Sequence, residues 1–407
     1  MKNRFGFITK HTAPFAVISL FFCASAALAN SGTWDGETSV LWTNKINWSD
    51  NTVTYPNNDE TATFNGSANN RTNIDLTGLP GIQYITFDSV SVAGYNIGLL
   101  PVNSQTNIFR NNGTYRVNGN TKIGSHQTIN ASLQLGPDRG GGSYAIQNDS
   151  SANIFTLAGD IFLPTTTSAG TIGDRTLNIY GIGQIRFLGN LAKDRIVNAA
   201  TNLDVQIYNS GTVTMSGTNV IRLLRLYGGQ GSVLDIGSGS ICFTNSTGGE
   251  NLSCSMGGTI KGSGFISLST AGGENYADNR VDDINSTLYI NCRMTGVAGF
   301  EFYTGATVGG TFVFNGINDF AGQVVFNASG KISASKFGNC GSTNSNLGAG
   351  SIIGFNCSVA GGPKLIYTGT GETTDRILRF NTHGQIEQAG TGLLTFSGTP
   401  QMIGGNV

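Results

Sequence analysis

Apolar residues along the chain recur at every second position in short runs, as in "TLNIY", "TVTMS", "LLTFS", "TFVFN" and "QVVFN", with Gly, Asn or Ser at most of the breaks. Period two places successive side chains on opposite faces of an extended strand, and no stretch carries the 3.6-residue period of an amphipathic helix. The pattern therefore predicts an all-β chain of many short strands joined by tight turns.

Self-similarity decides how such strands are arranged. "DRILRFNTHGQI", Asp375 to Ile386, has a partner 201 residues upstream in "DRTLNIYGIGQI", Asp174 to Ile185, with Asp, Arg, Leu, Gly, Gln and Ile at identical spacing. A second set is "TMSGTNVI" from Thr214, "VFNGINDFAGQVVFN" from Val313 and "TFSGTPQMI" from Thr395, each a strand followed by a small residue, Gly and a polar turn. Repeats of uneven length predict coils stacked on one another, a parallel β-helix. Coils of roughly 20 to 25 residues would make ~12 to 15 coils after residue 110, a rod ~60 to 70 Å long. Residues 30–110 read as an N-terminal cap with the first coils and 111–407 as the repeat region. The cap expectation rests on "TWDGETSVLWTNKINWSD", which carries all three tryptophans, Trp34, Trp42 and Trp48, since an open coil end must be covered.

Composition agrees with stacking. Only 12% of residues are charged and 59 of 407 are glycine, about half and about twice the usual shares. Like charges one strand spacing apart would repel, glycine supplies positive φ at turns, and Asn can ladder from coil to coil. At 39% hydrophobic the chain can bury a core.

Residues 1–29 read as a signal peptide: Lys2, Arg4 and Lys10, then "APFAVISLFFCASA", then the small-x-small "ALA" ending at Ala29. Phe22 before Cys23 argues against a lipobox. Removing the leader leaves 20 Lys plus Arg against 24 Asp plus Glu with no basic block, which excludes a nucleic-acid partner. No later stretch is long and apolar enough for a transmembrane helix. Five cysteines remain, Cys242, Cys254, Cys292, Cys340 and Cys357; bridges Cys242–Cys254 and Cys340–Cys357 are conceivable, against a reading of several as buried small hydrophobes.

The segments resemble exported bacterial proteins with the autotransporter-associated β-strand repeat. The likeness lies in Thr33, Trp34, Gly36, Trp42, Asn47 and Trp48 at the start, in Phe314 to Ile352, "FNGINDFAGQVVFNASGKISASKFGNCGSTNSNLGAGSI", and in "GTGETTDRILRF" with "GTGLLTFSG". The resemblance implies a right-handed parallel β-helix passenger, exported, often displayed at the cell surface, with no catalytic residues to carry over. Such proteins commonly continue into a β-barrel or sorting tail; this chain ends at "FSGTPQMIGGNV", as expected of a truncated C-terminus or a secreted form.

Candidate chemistry is sparse. His383 aligns with Ile182 in the upstream copy, so the position is expected to face the core or a lateral contact rather than to act as a base. His126 sits alone in "GSHQT", and two scattered histidines make no metal site. Asp-Arg occurs at Asp138, Asp174, Asp194 and Asp375; neighbours on a strand point to opposite faces, so the expected role is structural, Asp on a turn amide and Arg over a neighbouring coil. Asp282 and Asp283 with Arg280 form the best catalytic candidate, as a glycosidase pair or a Ca²⁺ site. "GGQGSVLDIG" lacks the Asp of a calcium repeat at Val233. Trp34, Trp42 and Trp48 are candidate sugar-binding rings against a packed alternative, and Tyr227, Tyr276, Tyr303 and Tyr367 are further aromatic candidates. No cofactor motif occurs. These observations predict a non-enzymatic exported module, structural or adhesive, towards polysaccharide or surface glycans, with a polysaccharide-degrading β-helix enzyme as the alternative and a pure spacer as a third possibility.

Overall fold

The computed structural model describes residues 31–404 except 50–53, 67, 119–124, 137–139, 165–171, 193–201, 245–249, 270–275, 304–308 and 360. The leader, Asp138 and Asp194 lie outside the described residues. Every strand pairing among the described residues is parallel, and each strand pairs with the strand one coil before or after it. The chain is a β-solenoid with three faces visited in turn.

The first face starts at Gly32–Thr33 and Asn58–Phe64 and ends at Ile377–Phe380 and Gln401–Met402. It belongs to a 17-stranded sheet, and the second face is a 13-stranded sheet from Asn73–Ile74 to Gln385–Gln388. The third face passes through Ser132–Leu135 and Ile161–Phe162, crosses single-residue bridges at Leu191 and Asn219, and continues from Thr218–Ile221 to Arg293–Gly296. One strand, Thr106–Val117, turns a corner: its start pairs on the third face and its end on the first. That strand spans the sequence boundary at residue 110.

Alternation places one side chain in two inside the coils. On the first face Ile85, Tyr115, Ile146, Ile179, Ile207 and Leu226 stack in register, all fully buried. Further along, Phe302, Phe326, Phe355 and Phe380 form an interior stack, with Phe326–Phe355 at 5.2 Å and Phe355–Phe380 at 4.8 Å between ring centres, nearly parallel. Each such buried side chain contributes about 1.5 to 3 kcal/mol of transfer free energy. Coils are uneven and mostly longer than the expected 20 to 25 residues: Leu226 lies on Ile207 in the shortest, Ile179 on Ile146 in the longest. The longest coils also carry longer strands, Gly140–Asn148 and Ile172–Gly181, against Leu203–Ile207 and Leu223–Leu226 in the shortest.

The corners explain the glycine and asparagine content. Between the second and third faces Gly159, Gly189, Gly217, Gly239 and Gly264 follow one another up the axis, each close to the backbone of the coil before; a Cβ on Gly264 would lie 1.7 Å from the Gly239 oxygen. Between the first and second faces, buried Asn148 donates to the Asn153 and Gln184 carbonyls at 2.9 and 2.8 Å, and buried Asn209 donates to those of Tyr180 and Gly183. Exposed asparagines ladder too, Asn96 to Asn73 and Asn315 to Asn291, both at 2.8 Å.

At the N-terminal end the three indoles pack edge to face, Trp34–Trp48 at 5.1 Å and Trp42–Trp48 at 4.9 Å, against Phe64 of the first face. Among the described residues no helix is long and apolar enough to cross a membrane.

Candidate functional site

The catalytic candidates sit on the outside of the first face. Arg225, Ser253 and Arg280 are stacked in register on successive coils. Glu250 lies between the two arginines and pairs with both, 3.3 Å from Arg225 and in closer contact with Arg280. Arg280 also pairs with Asp282 at 3.1 Å, and the Ser255 hydroxyl donates to the other oxygen of Asp282 at 3.2 Å. Asp283 is exposed and closes a turn by accepting from the Asn285 amide at 2.9 Å. Adjacent in sequence, the two carboxylates are thus employed separately: one is neutralised in a chain of alternating charges, the other holds a corner.

A second carboxylate row was not visible in the sequence. Glu250, Asp278 and Glu301 occupy equivalent outward positions on three coils, which becomes apparent only once the register is known. Glu301 accepts from the Asn327 side-chain amide. No group of three potential metal ligands converges among the described residues.

The repeated Asp-Arg pairs are structural nodes, and the arginines do more than cover a coil. Arg175 and Arg376 are both fully buried, each where the chain enters the first face. Arg376 donates through Nε to the Phe337 and Gly338 carbonyls at 3.0 Å and through Nη2 to Ser345 Oγ at 3.2 Å; further contacts reach the Gly348 and Gly350 carbonyls. Burial pushes its pKa down to about 10, against the opposing pull of Cys340, Asp375 and Glu372. Asp375 accepts from the Cys340 amide at 2.7 Å, and Glu372 accepts from the Phe337 and Gly338 amides at 2.6 and 3.0 Å. Three side chains of one coil thereby hold the loop from Phe337 to Gly350. In the upstream copy Arg175 reaches the Gly136 carbonyl at 3.0 Å, and Asp174 accepts from the Asn202 amide at 3.1 Å while pairing with Arg222. Asp174 and Asp204 together hold the Arg222 guanidinium above its ordinary value, Asp204 being the stronger.

Other expectations need correction. His383 and Ile182 face neither core nor lateral contact: both are exposed, Ile182 to 57%, because the position lies at the outer corner between the first and second faces. His126 is exposed as well, and its Nδ1 accepts from the Ile154 amide at 3.1 Å. The proposed bridges do not form: all five cysteines are free, with Cys254, Cys292 and Cys357 buried and Cys340 exposed. Cys242 lies on the third face and Cys254 on the first, which separates them across the coil. Burial pushes the Cys254 thiol up to about 11 and Cys292 to about 12.

The tryptophans have no face left for a sugar. Trp34, Trp42 and Trp48 are at most 1% exposed, and their indole N–H groups are spent on the Arg71, Pro56 and Trp42 carbonyls. Tyr367 is buried too, whereas Tyr303 is 43% exposed. Tyr227 belongs to an outer ladder with Tyr180 and Tyr208, ring centres 4.9 and 4.8 Å apart and planes 16° apart. The sequence signal for it is an apolar residue, Tyr, then Gly or Asn, at Ile179-Tyr180-Gly181, Ile207-Tyr208-Asn209 and Leu226-Tyr227-Gly228.

A shallow groove at the corner of the second and third faces is lined by Gly262, Gly264, Asn291, Arg293, Asn315 and Asp319. Arg293 and Asp319 form a two-bond ion pair there, Nε to Oδ1 at 3.0 Å, which holds the Asp319 carboxyl below its ordinary range. Its polar groups are largely spent on one another. Against known proteins, no family model, no curated protein and no solved structure matches the chain.

Proposed function

We propose that this protein is an exported, non-enzymatic right-handed β-helix of the kind built from autotransporter-associated repeats, closed at its start by the tryptophan cluster, and acting as a surface or extracellular module that adheres to polysaccharide or surface glycans. The observation that carries the reading is that the charged side chains best placed for catalysis are engaged elsewhere, Arg280 and Asp282 in ion pairs and Asp283 on a turn amide. The right-handed sense is the one that chirality favours for parallel crossover connections. Residues 1–29 support export.

The test is a screen of the purified protein against acidic and neutral polysaccharides, with and without Ca²⁺, alongside a glycan array. The expected result is retention of one glycan class without turnover. Turnover abolished by Asp282→Ala or Asp283→Ala overturns the reading in favour of a polysaccharide-degrading β-helix enzyme. That alternative has the in-register row of Glu250, Asp278 and Glu301 in its favour, so Glu301→Gln belongs in the same screen. A protein that binds nothing on the array is a spacer.

A further inference from the structure

The outer surface of the first face carries one feature that neither packing nor ion pairing uses up. Tyr180, Tyr208 and Tyr227 occupy the same position on three successive coils, immediately before the corner leading to the second face. Rings in contact at about 3.5 Å between planes but with centres 4.8 to 4.9 Å apart are displaced sideways. Each therefore overlaps only part of the next and shows part of its face outward. Tyr208, the middle ring, is still 39% exposed although it has a neighbour on both sides.

The rings are held by a rigid corner. Buried Asn209 ties the Tyr180 and Gly183 carbonyls to its own coil, and its Oδ1 accepts from the Gly211 amide at 2.6 Å. Two glycines next to the tyrosines allow the coils to approach: a Cβ on Gly181 or on Gly228 would stand 2.0 Å from a carbonyl oxygen of the coil before. Such a platform loses little entropy when something lies on it.

Beside the aromatic row runs a polar one, Asn178, Gln206 and Arg225, in register on the same three coils. Gln206 accepts from the Tyr208 hydroxyl at 2.8 Å through its carbonyl, so its N–H donors have no partner among the described residues. The charges nearby are already paired: Arg225 with Glu250, and Arg222 with Asp174 and Asp204. Asn178 is buried and donates to Ser143 Oγ at 2.9 Å, so the strip offers partial aromatic faces, the Gln206 amide donors and little net charge. A sugar ring has the matching chemistry, an apolar C–H face and an edge of hydroxyls, and the ladder's step is close to the length of one sugar unit in an extended chain.

We infer that Tyr180, Tyr208 and Tyr227, with Gln206 beside them, form a binding strip for a neutral glycan chain lying along the solenoid axis. The inference rests on the adhesive reading above and assigns it a site. It is tested on the full mature chain by titrating neutral and acidic oligosaccharides into the wild type, Tyr208→Ala, Tyr208→Phe and, as a distant control, Tyr289→Ala, with circular dichroism to verify folding. The expected result is binding of neutral oligosaccharides that weakens about tenfold or more in Tyr208→Ala and persists in Tyr208→Phe and Tyr289→Ala, since losing one aromatic platform removes on the order of 1.4 kcal/mol. Neutral glycans bound equally by wild type and a folded Tyr208→Ala overturn the strip and leave the adhesive reading standing. Binding restricted to acidic glycans overturns the neutral assignment. Absence of binding to any glycan overturns both the strip and the glycan reading. If Tyr208→Ala does not fold, Gln206→Ala replaces it, with weakened binding expected and unchanged binding overturning the strip.

Discussion

The glycine corner between the second and third faces allows a sharp test of the stacking. At Gly217 a Cβ would sit 2.3 Å from the Gly189 oxygen, 2.8 Å from the Gly189 carbon and 3.1 Å from the Asn190 Cα, all backbone atoms, whereas real Cβ contacts stay above 3.0 Å. In Gly217→Ala the two coils must therefore part by roughly 0.7 Å at this corner, a sizeable fraction of a ~4.8 Å strand spacing. Three hydrogen bonds flank the site and would be stretched: Ser216 N to Phe187 O at 3.1 Å, Thr218 N to Asn190 Oδ1 at 2.9 Å and Val220 N to Leu191 O at 2.8 Å. At a net ~0.5 to 1.5 kcal/mol each, their loss costs about 1.5 to 4.5 kcal/mol. Alanine also restricts the unfolded chain, which returns about 0.4 to 1 kcal/mol. The clash wins: the difference spans about 0.5 to 4 kcal/mol, with a central expected loss of about 2 kcal/mol. Urea denaturation followed by far-ultraviolet circular dichroism measures it, with Gly231→Ala as the control, because a Cβ there meets nothing nearer than 4.0 Å and should leave stability within about 0.5 kcal/mol. Coils contact only their neighbours, so amide exchange should quicken around Leu203–Ile207 and Leu223–Leu226 and not at the distant ends. A Gly217→Ala protein as stable as Gly231→Ala would refute the close-approach argument.

Other outcomes follow from the same structure. Phe355→Ala removes a fully buried ring from the interior stack and should cost about 3 to 5 kcal/mol in the same assay, a loss under 1 kcal/mol being inconsistent with the packing. Maleimide at neutral pH should label Cys340 and spare Cys254 and Cys292 until the protein is unfolded; intact-mass analysis reads the count, and labelling of the buried pair in the native state would contradict their burial. Because burial raises the Cys254 and Cys292 pKa values from 9.0 to about 11 and about 12, the native state holds protons that the unfolded chain releases. Their contribution is complete below about pH 9 and is lost as pH rises through the folded values. The urea midpoint of a Cys254→Ala, Cys292→Ala double variant should therefore fall less steeply above pH 9 than that of the wild type, and parallel curves would refute the assignment. Arg376→Ala should loosen the loop from Phe337 to Gly350, seen as faster exchange of the Phe337, Gly338 and Cys340 amides; exchange at the wild-type rate would show that Glu372 and Asp375 hold it alone.

Local pattern made the strands legible, because alternation is a property of adjacent residues: "TVTMS", "TFVFN" and "QVVFN" fall on Thr212–Met215, Thr311–Phe314 and Val324–Phe326. Stacking was legible through glycine abundance and the Asp174 and Asp375 copies, whose leucines Leu177 and Leu378 both turn inward on the first face. The three-faced cross-section was not, since a corner such as Gly217 is one residue wide and breaks no pattern. Arg175 and Arg376 escaped for another reason: arginine is a poor prediction for a core position, and the carbonyls that accept from Arg376 come from a loop 26 to 39 residues earlier in the chain. Register was the missing quantity for function. Tyr180, Tyr208 and Tyr227 stand at unequal intervals, so a search at fixed period passes over a row that is straight in space.

The distribution of charge connects the two parts of the argument. Charged residues are scarce but not randomly placed: Arg116 meets Asp149, Arg222 meets Asp174 and Asp204, Arg280 meets Glu250 and Asp282, and Lys364 meets Glu387. Arg116, Lys364, and Arg222 and Arg280 through Asp204 and Glu250 find their partner on a neighbouring coil, where a like charge would repel at one strand spacing; Asp282 is on the same coil as Arg280 and Asp174 is two coils from Arg222. Most of these pairs are partly exposed, so each contributes little to stability, and together they neutralise much of the charge on the outer faces, while among the described residues Arg186 and Arg379 bond only to the Gln184 and Gln401 amides. Around the tyrosine ladder, where Arg222 and Arg225 are both paired, little field is left to steer an acidic polymer through long-range attraction. What is left for recognition is short-range: the tyrosine faces and the amide of Gln206. Raising salt from 50 to 500 mM screens charges beyond a few ångströms, so glycan affinity at the strip should stay within about twofold across that range, and a steep fall with salt would place the binding on the arginines instead.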